Sequence, residues 1–331
     1  MDFYQERDIL TGFYLDRLVL DLPPFCRLFF NGKSTSMSKI TLKKYMYQMK
    51  YFFNFIAAQY LNNKDIRQID LTEFKTITSD EIRAYIQFVS QTMTNNYVVQ
   101  LISVLSVFFN YYLKNGYINN NPVSSIERPK AQRHLMVKLT LEESNRLLLA
   151  ISNETRVKLK MKKVSENEIL RDKTIIIFFL STGVRLSELV GLNYGSINLE
   201  NKTAVVRRSK SGKEEIIYLT DDLVKQLELY FSSFPQTDLN APLFTTKDGN
   251  RVTGQNLTVM VRKYVRFAGI NKKITPHKLR ATFGTNLYQK THDIYMTAKL
   301  LGHTTVVTTT KYYVDIDEEL KRKALEGFRI V

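Results

Sequence analysis

The sequence contains very little cysteine. Cys26 is the only one among 331 residues, which excludes an intramolecular disulfide and any metal site built from several cysteines. Long apolar runs are also missing, because the longest, residues 175–180, is far shorter than the roughly 20 residues that a membrane-spanning helix needs. The opening MDFYQERDIL is acidic early and lacks the apolar stretch of a signal peptide. We therefore expect a cytoplasmic protein with no membrane partner.

Acidic residues are outnumbered by basic ones. The chain has 48 Lys and Arg against 32 Asp and Glu, a net charge of +16. The excess is uneven, since residues 1–130 carry 15 basic and 11 acidic residues and residues 131–331 carry 33 and 21. This balance indicates a polyanionic partner, most often nucleic acid, although a soluble protein can be basic without one. We expect the second part of the chain to carry more of the phosphate contacts.

Apolar spacing divides the chain into two units. Steps of three and four residues predict a small all-helical unit over residues 39–118, in which Ser79 is expected to cap one helix. Residues 119–135 contain two prolines and several asparagines and serines, a composition typical of a linker. A second unit follows from residue 136 to residue 331. Residues 1–38 form an N-terminal extension of uncertain role.

The second unit combines helices with one hairpin. Thr140 and Glu143 fit a capping box at its first helix. Two β-rich arms, residues 204–207 and 215–219, flank a Ser/Gly/Lys turn and predict a β-hairpin. The rest of the unit has helical spacing. The predicted fold class is mainly α with a small β-hairpin or sheet.

Polar residues with catalytic potential fall in five short stretches. These are TGVRLSEL with Arg185, SKSGKEE with Lys210, HKLR with His277 and Arg280, LGH with His303, and TTTKY with Tyr312. His277 and Arg280 are three residues apart and so share a helix face. Taken singly, each stretch has an ordinary structural explanation: a helix cap, a surface charge, a solubilising turn or a packed tyrosine.

In this order and context, the five stretches resemble the tyrosine recombinase (phage integrase) family. Its signature is an arginine in a TGxRxxEL turn, a lysine on a β-hairpin, HxLR, LGH, and a tyrosine nine residues after that histidine. The resemblance spans residues 39–331. It implies a helical N-terminal core-binding (SAM-like) domain at 39–118, a mixed α/β catalytic domain at 136–331, and a C-terminal tail helix at about 317–331.

The resemblance implies DNA strand cleavage and rejoining without metal or cofactor. Tyr312 would attack a backbone phosphorus and leave a 3′-phosphotyrosyl bond and a free 5′-hydroxyl. Arg185 and Arg280 would present planar forks to the non-bridging oxygens. His303 would add a donor, and Lys210 would protonate the departing 5′ oxygen. His277 would either accept the tyrosine proton or hold the phosphate.

Neighbouring residues compete for some of these roles. Arg208 and Lys213 lie beside Lys210, whose place in the turn matches the family's first lysine. Tyr313 adjoins Tyr312, and the nine-residue interval from His303 favours Tyr312. Glu188, one helical turn after Arg185, either orients that guanidinium or is an ordinary surface carboxylate.

Several functions fit these residues. The leading interpretation is a site-specific recombinase or integrase of a phage or mobile element, and the alternative is a Xer-like resolvase of chromosome or plasmid dimers. The family resemblance implies double-stranded DNA as a partner. It also implies a tetramer around two duplexes, with the tail of each protomer docked into a neighbouring protomer. Accessory DNA-bending proteins are further partners that the resemblance allows. A catalytically silent DNA-binding regulator and a topoisomerase with similar chemistry stay open. No carboxylate trio supports a metal-dependent transposase.

Overall fold

The computed structural model describes residues 3–130, 137–151, 165–208, 212–303, 305, 306 and 310. The chain divides into two compact units, Met1–His134 and Leu135–Val331, here called the N-terminal unit and the C-terminal unit. Each has its own buried core.

Helices build the described part of the N-terminal unit. They are α1 (Phe3–Leu18), α2 (Cys26–Lys33), α3 (Lys39–Tyr60), α4 (Leu71–Lys75), α5 (Ser79–Ser90) and α6 (Asn95–Lys114), with short 3₁₀ turns at Val19–Asp21 and Ile66–Gln68. The prediction that Ser79 caps α5 is wrong by one residue. Thr78 is the N-cap and forms a capping box with Glu81, whereas the Ser79 hydroxyl donates to the carbonyl of Pro122 at 2.8 Å.

Aromatic side chains fill the core of the N-terminal unit. Phe53, Phe74 and Phe108 are each at most 1% exposed and contact one another at ring-centre distances of 5.8–6.4 Å. Truncating one such ring to alanine typically costs about 3–5 kcal/mol. Helix α1 shares this core through the buried Leu15 and Leu18. The extension that the sequence left without a role is thus partly a packed component of the N-terminal unit.

Helix α6 is, within the described residues, the one helix long and apolar enough to cross a membrane. Its apolar face contributes Leu101, Leu105 and Phe108 to the buried core. A core helix meets the same length and composition criteria as a membrane span, and these buried residues account for the apolar character of α6.

The C-terminal unit contains further helices and a small sheet. The helices are α7 (Leu141–Leu149), α8 (Glu166–Thr182), α9 (Leu186–Val190), α10 (Asp221–Ser233), α11 (Gly254–Phe267), α12 (Pro276–Thr291) and α13 (Ile294–Leu300). The strands are β1 (Ile197–Asn198), β2 (Thr203–Arg207) and β3 (Glu214–Tyr218), preceded by a 3₁₀ turn at Tyr194–Ser196. The predicted capping box is present, because the Thr140 hydroxyl accepts from the Glu143 N–H and the Glu143 carboxylate accepts from the Thr140 N–H.

Helix α8 lies at the centre of the C-terminal unit and packs against both α10 and α12. Its buried residues include Ile175, Ile176, Phe178 and Phe179. The apolar run in the sequence is therefore the core segment against which the neighbouring helices are positioned. The α8–α12 contact brings the end of α8 close to the helix that carries His277 and Arg280.

The predicted hairpin is confirmed. Among the described strands, β1, β2 and β3 form an antiparallel sheet in that order. The β2–β3 register pairs Val205 with Ile216, and the side chains of Ala204 and Val206 are buried while Val205 is exposed. This alternation follows the two-residue period of a strand with one buried face.

Candidate active site

Arg185 lies at the turn between α8 and α9. Gly183 ends α8 with φ of +61°, and its N–H donates to the carbonyl of Phe179. A Cβ at this position would lie 2.4 Å from the ring of Phe283, so backbone angle and packing both require glycine. Arg185 takes the N-cap position of α9 with φ of −73° and ψ of 151°. Its side chain keeps 33% of its surface exposed although it follows a buried helix.

Glu188 is a buried carboxylate that orients Arg185. Its Oε2 accepts from the Arg185 backbone N–H at 2.9 Å, and its Oε1 accepts from Nη1 of the same residue at 2.7 Å. The first bond caps α9, and the second fixes the direction of the guanidinium. The Glu188 side chain has no exposed surface. Of the two interpretations left open by the sequence, these contacts support orientation of the guanidinium rather than a surface carboxylate.

Arg280 joins two distant turns. It lies on α12, which begins with Thr275 as N-cap and Pro276 at the first helical position. Its Nη1 donates to the carbonyl of Gly183 at 2.6 Å, and its Nη2 donates to the carbonyl of Leu301 at 2.5 Å. The residue is only 4% exposed. Its planar fork therefore fixes the α8–α9 turn and the α13 terminus relative to each other.

His303 follows a second required glycine. Gly302 has φ of +61°, which any residue with a Cβ adopts only at a cost. The carbonyl of Gly302 accepts from Nη2 of Arg185 at 2.9 Å, and the backbone N–H of His303 donates to the carbonyl of Ala298. The turn that presents His303 is thus held directly by Arg185 as well as by Arg280 through Leu301.

Both histidines of the site have lowered pKa values. Desolvation is the largest cause for His303 and, with the charges of Arg280 and Arg185, lowers its pKa to about 4. The pKa of His277 is lowered by desolvation and then by Arg280, although His277 keeps more exposed surface than His303. These shared charge effects indicate that the two arginines and two histidines lie near one another. At neutral pH the His303 ring is uncharged, so one nitrogen donates and the other accepts.

A third arginine lies beside this cluster. Arg208, at the end of β2, is 7% exposed and donates from Nη1 to Oε2 of Glu188 at 3.0 Å and from Nε to Oε2 of Glu215 at 2.5 Å. Burial alone lowers the pKa of its guanidinium, but the bonds to Glu215 and Glu188 outweigh burial and raise that pKa above its ordinary value. The sequence suggested Arg208 as a rival to Lys210, whereas the structure uses it inside the protein as an ion-pair partner.

Some predicted site residues lie outside the described part of the chain. In the sequence, Lys210 comes between the described residues Arg208 and Gly212, and Tyr312 and its rival Tyr313 follow the last described position, residue 310. The tail at residues 317–331 also lies outside it. The structure therefore brings together Arg185, His277, Arg280 and His303 from the predicted set.

The sequence reasoning missed the role of Arg208, yet a signal was present. Ala204 and Val206 are the buried positions of β2. Counting on by two reaches Arg208, so the period of the strand places this charge on the inner face. A buried arginine is stable only when its charge is paired. Glu188 and Glu215 both form ion pairs with Arg208.

Comparison with known proteins agrees with this geometry. Residues 138–319 match the phage integrase family, and residues 21–129 match the phage integrase SAM-like domain. The chain is 31% identical over 323 residues to the tyrosine recombinase XerC of Caldanaerobacter subterraneus subsp. tengcongensis, covering 92% of this chain and 87% of the relative. It is 29% identical over 288 residues to the tyrosine recombinase XerD of Shewanella oneidensis, covering 84% and 87%.

Solved structures share the fold. A XerH site-specific recombinase bound to a palindromic difH substrate matches with a TM-score of 0.68 and 21% identity, over 89% of this chain and 82% of that one. A lambda integrase dimer bound to a COC′ core site matches with a TM-score of 0.66 and 17% identity, over 92% and 81%. Two matched domains, a relative of 31% identity over nearly the whole chain and the converging arginines and histidines lead to one assignment. The chain belongs to the phage integrase family and is a tyrosine-type site-specific recombinase similar to the Xer proteins.

Proposed function

We propose that the chain cuts a DNA strand by attack of the Tyr312 phenol on a backbone phosphate and rejoins it to another strand. The phenolic oxygen bonds to phosphorus as the P–O5′ bond breaks, which leaves a 3′-phosphotyrosyl ester and a free 5′-hydroxyl. A 5′-hydroxyl from a second strand then reverses the step, so bond energy is conserved. The observation that carries this proposal is that Arg280 joins the turn bearing Arg185 to the turn bearing His303.

The two arginines stabilise the charge that develops on the phosphate. Backbone carbonyls accept in-plane N–H bonds from each guanidinium, which reduces the side-chain ordering that DNA binding requires. Arg185 is the more exposed of the two, so its guanidinium is the more accessible to the non-bridging oxygens of a bound phosphate. Donors placed in advance at developing charge are typically worth about 3–4 kcal/mol each in a reaction barrier.

We assign proton transfer to His277, whose ring is uncharged at neutral pH, and to Lys210, whose side chain is cationic. The lowered pKa of His277 keeps its ring neutral and able to accept the proton of the Tyr312 phenol. His303, with a pKa of about 4, donates a ring N–H to the phosphate without adding a charge of its own. Lys210 supplies the proton that the departing 5′ oxygen needs.

Duplex DNA is the proposed partner, bound by both units. The net charge of +16 supports phosphate contact. We assign residues 39–118 to DNA core binding, 119–135 to the linker and 136–331 to catalysis, with the tail at 317–331 docked into a neighbouring protomer of a tetramer. A lambda integrase tetramer bound to a Holliday junction shares the fold, with a TM-score of 0.64. Accessory DNA-bending proteins belong to the same proposal.

The biological role proposed is that of a Xer-type resolvase acting on cytoplasmic DNA. The sequence reasoning gave first place to a phage or mobile-element integrase, whereas the two relatives described above are Xer recombinases. Their names favour the alternative without excluding integration. A plasmid that carries two directly repeated sites distinguishes recombination from topoisomerase activity. A recombinase that resolves the plasmid yields two separate circles, whereas a topoisomerase relaxes the plasmid and leaves it as one circle.

Trapping the covalent intermediate tests the proposed chemistry. The substrate is a nicked half-site duplex, taken from a randomised-sequence pool enriched by binding to the full chain. After cleavage the short fragment diffuses away and rejoining stops. Denaturing electrophoresis then shows a protein–DNA band for the unmodified chain and for Tyr313→Phe, and no band for Tyr312→Phe. Loss of the band in Tyr313→Phe alone would move the nucleophile to Tyr313, and no band in any of the three would refute covalent catalysis.

A further inference from the structure

We infer that Arg208 is a positioning residue of the active site, which holds in place both of the acceptors that aim Arg185. This inference rests on the proposed function of Arg185 as a phosphate ligand. Arg208 lies at the end of β2, outside the five stretches that resemble the family signature. Its side chain is buried against two features that Arg185 also uses.

The first shared feature is the Glu188 carboxylate. Oε1 of Glu188 accepts from Nη1 of Arg185, and Oε2 accepts from Nη1 of Arg208. One buried carboxylate therefore divides its two oxygens between two guanidinium groups. Oε2 accepts from the backbone N–H of Arg185 as well, so Arg208 is the second donor to this oxygen, and the two bonds together keep Oε1 directed at the Arg185 guanidinium.

The second shared feature is Gly302. A Cβ on Gly302 would lie 2.3 Å from both Cζ and Nη2 of Arg208, so the guanidinium packs directly on the glycine. The carbonyl of this same residue accepts from Nη2 of Arg185. Arg208 thus packs against the turn at Gly302, whose carbonyl binds Arg185 and which is followed directly by His303.

The hydrogen-bonding of Arg208 is incomplete within the described residues. Its Nη2 is buried and has no hydrogen-bond partner there. The remaining contact, from Nε to Glu215 on β3, ties the arrangement to both strands of the hairpin. Arg208 therefore connects the hairpin base, Glu188 and the His303 turn.

Single-turnover cleavage of the nicked half-site tests the inference in the full chain. Arg208→Gln removes the charge and the fork, and we expect the rate of covalent-complex formation to fall about 30-fold while the dissociation constant for the half-site changes less than threefold. Arg208→Lys keeps the charge and much of the volume and recovers part of this loss. The matched control is Arg171→Gln. Arg171 is also a largely buried ion-pair arginine of the C-terminal unit, bound to Asp172 and to the carbonyl of Thr245, and its loss lowers thermal stability without slowing cleavage.

A double-mutant cycle separates positioning from general stability. If Arg208 acts through Arg185, adding Arg208→Gln to an Arg185→Lys chain slows cleavage by less than threefold, because the geometry it protects is already lost. Additive losses, cleavage by Arg208→Gln at the unmodified rate, or an equal loss in Arg171→Gln would each overturn the inference. If Arg208→Gln does not fold, the cycle is run with Arg208→Lys. The unmodified chain must form the covalent band in the same experiment, and its absence would count against the proposed function instead.

Discussion

The guanidinium of Arg280 donates to the carbonyl of Gly183, which lies 97 positions earlier in the chain, at 2.6 Å. The same side chain binds Leu301, two residues before His303. One buried arginine thereby fixes the two turns from which the other site residues project. The arginines of the site are thus hydrogen-bonded to backbone carbonyls at helix ends.

Replacing Arg280 by lysine tests this bridging role. Lysine keeps the charge but cannot reach both carbonyls with one planar fork, so we predict that one buried carbonyl loses its donor, at about 1–3 kcal/mol of folding stability. Covalent-complex formation should slow about 100-fold. Urea unfolding and half-site cleavage measure the two effects. Arg83→Lys, at an exposed ion pair of the N-terminal unit, should change neither, and an equally mild result for Arg280→Lys would contradict the bridging role.

Replacing Gly183 by alanine tests the turn that presents Arg185. The left-handed backbone costs about 1–2 kcal/mol with a Cβ, and contact with Phe283 adds about 1–3 kcal/mol of overpacking. Gly269→Ala is the matched control, because Gly269 has φ of +63° with nothing within 4 Å of its Cβ position. We predict that Gly183→Ala loses more unfolding free energy than Gly269→Ala. Equal losses would show that packing at Phe283 is unimportant.

The lowered pKa of His303 predicts a stability that falls in acid. In the unfolded chain this ring takes up a proton near pH 6.5, whereas in the folded chain it does so near pH 4. The unfolded state therefore binds more protons between these values, and stability is lost as the pH falls through that window. Allowing for partial solvent screening, the loss is about 1–2 kcal/mol.

His303→Gln removes this titration. We predict that the difference in unfolding free energy between about pH 7.5 and about pH 4.5 shrinks by about 1–2 kcal/mol in the variant. Urea titrations of both chains at the two pH values provide the measurement. An unchanged difference would mean that His303 is not desolvated in the folded protein.

Salt dependence tests the phosphate contacts. If about 6–10 phosphates are neutralised, the logarithm of the DNA association constant should fall with the logarithm of salt concentration at a slope of about −5 to −9. Fluorescence anisotropy of a labelled duplex across a salt series gives the slope. A slope shallower than about −2 would mean that only about two phosphates are neutralised. That result would contradict a substantial contribution of the +16 net charge to DNA binding.

Local signals in the sequence predicted several features correctly. The Thr140–Glu143 capping box and the two arms of the hairpin depend on residues a few positions apart. The cap of α5 was misplaced by one residue although Thr78 and Glu81 have the spacing of a capping box. The Ser79 hydroxyl instead bonds Pro122, 43 positions away. No local pattern contains such a contact.

The sequence predicted that the turns bearing Arg185, Arg280 and His303 converge, but it did not predict the contacts that hold these turns together. Motif spacing pointed to Arg185, Arg280 and His303, and the structure brings their turns together. The carbonyl contacts of these arginines arise from the packing of α12 against α8, which spacing alone does not encode. The sequence analysis considered Arg208 only as a rival to Lys210. Its burial depends on the position of its side chain relative to the inner face of the sheet, which the motif comparison did not take into account.

A structure of the trapped covalent complex on a half-site duplex tests the central claim most directly. The account predicts that one phosphate is esterified to the Tyr312 phenolic oxygen and lies within hydrogen-bond distance of Arg185, Arg280 and His303 together. A phosphate held elsewhere on the protein, or esterified to Tyr312 while these three side chains point to different places, would contradict it.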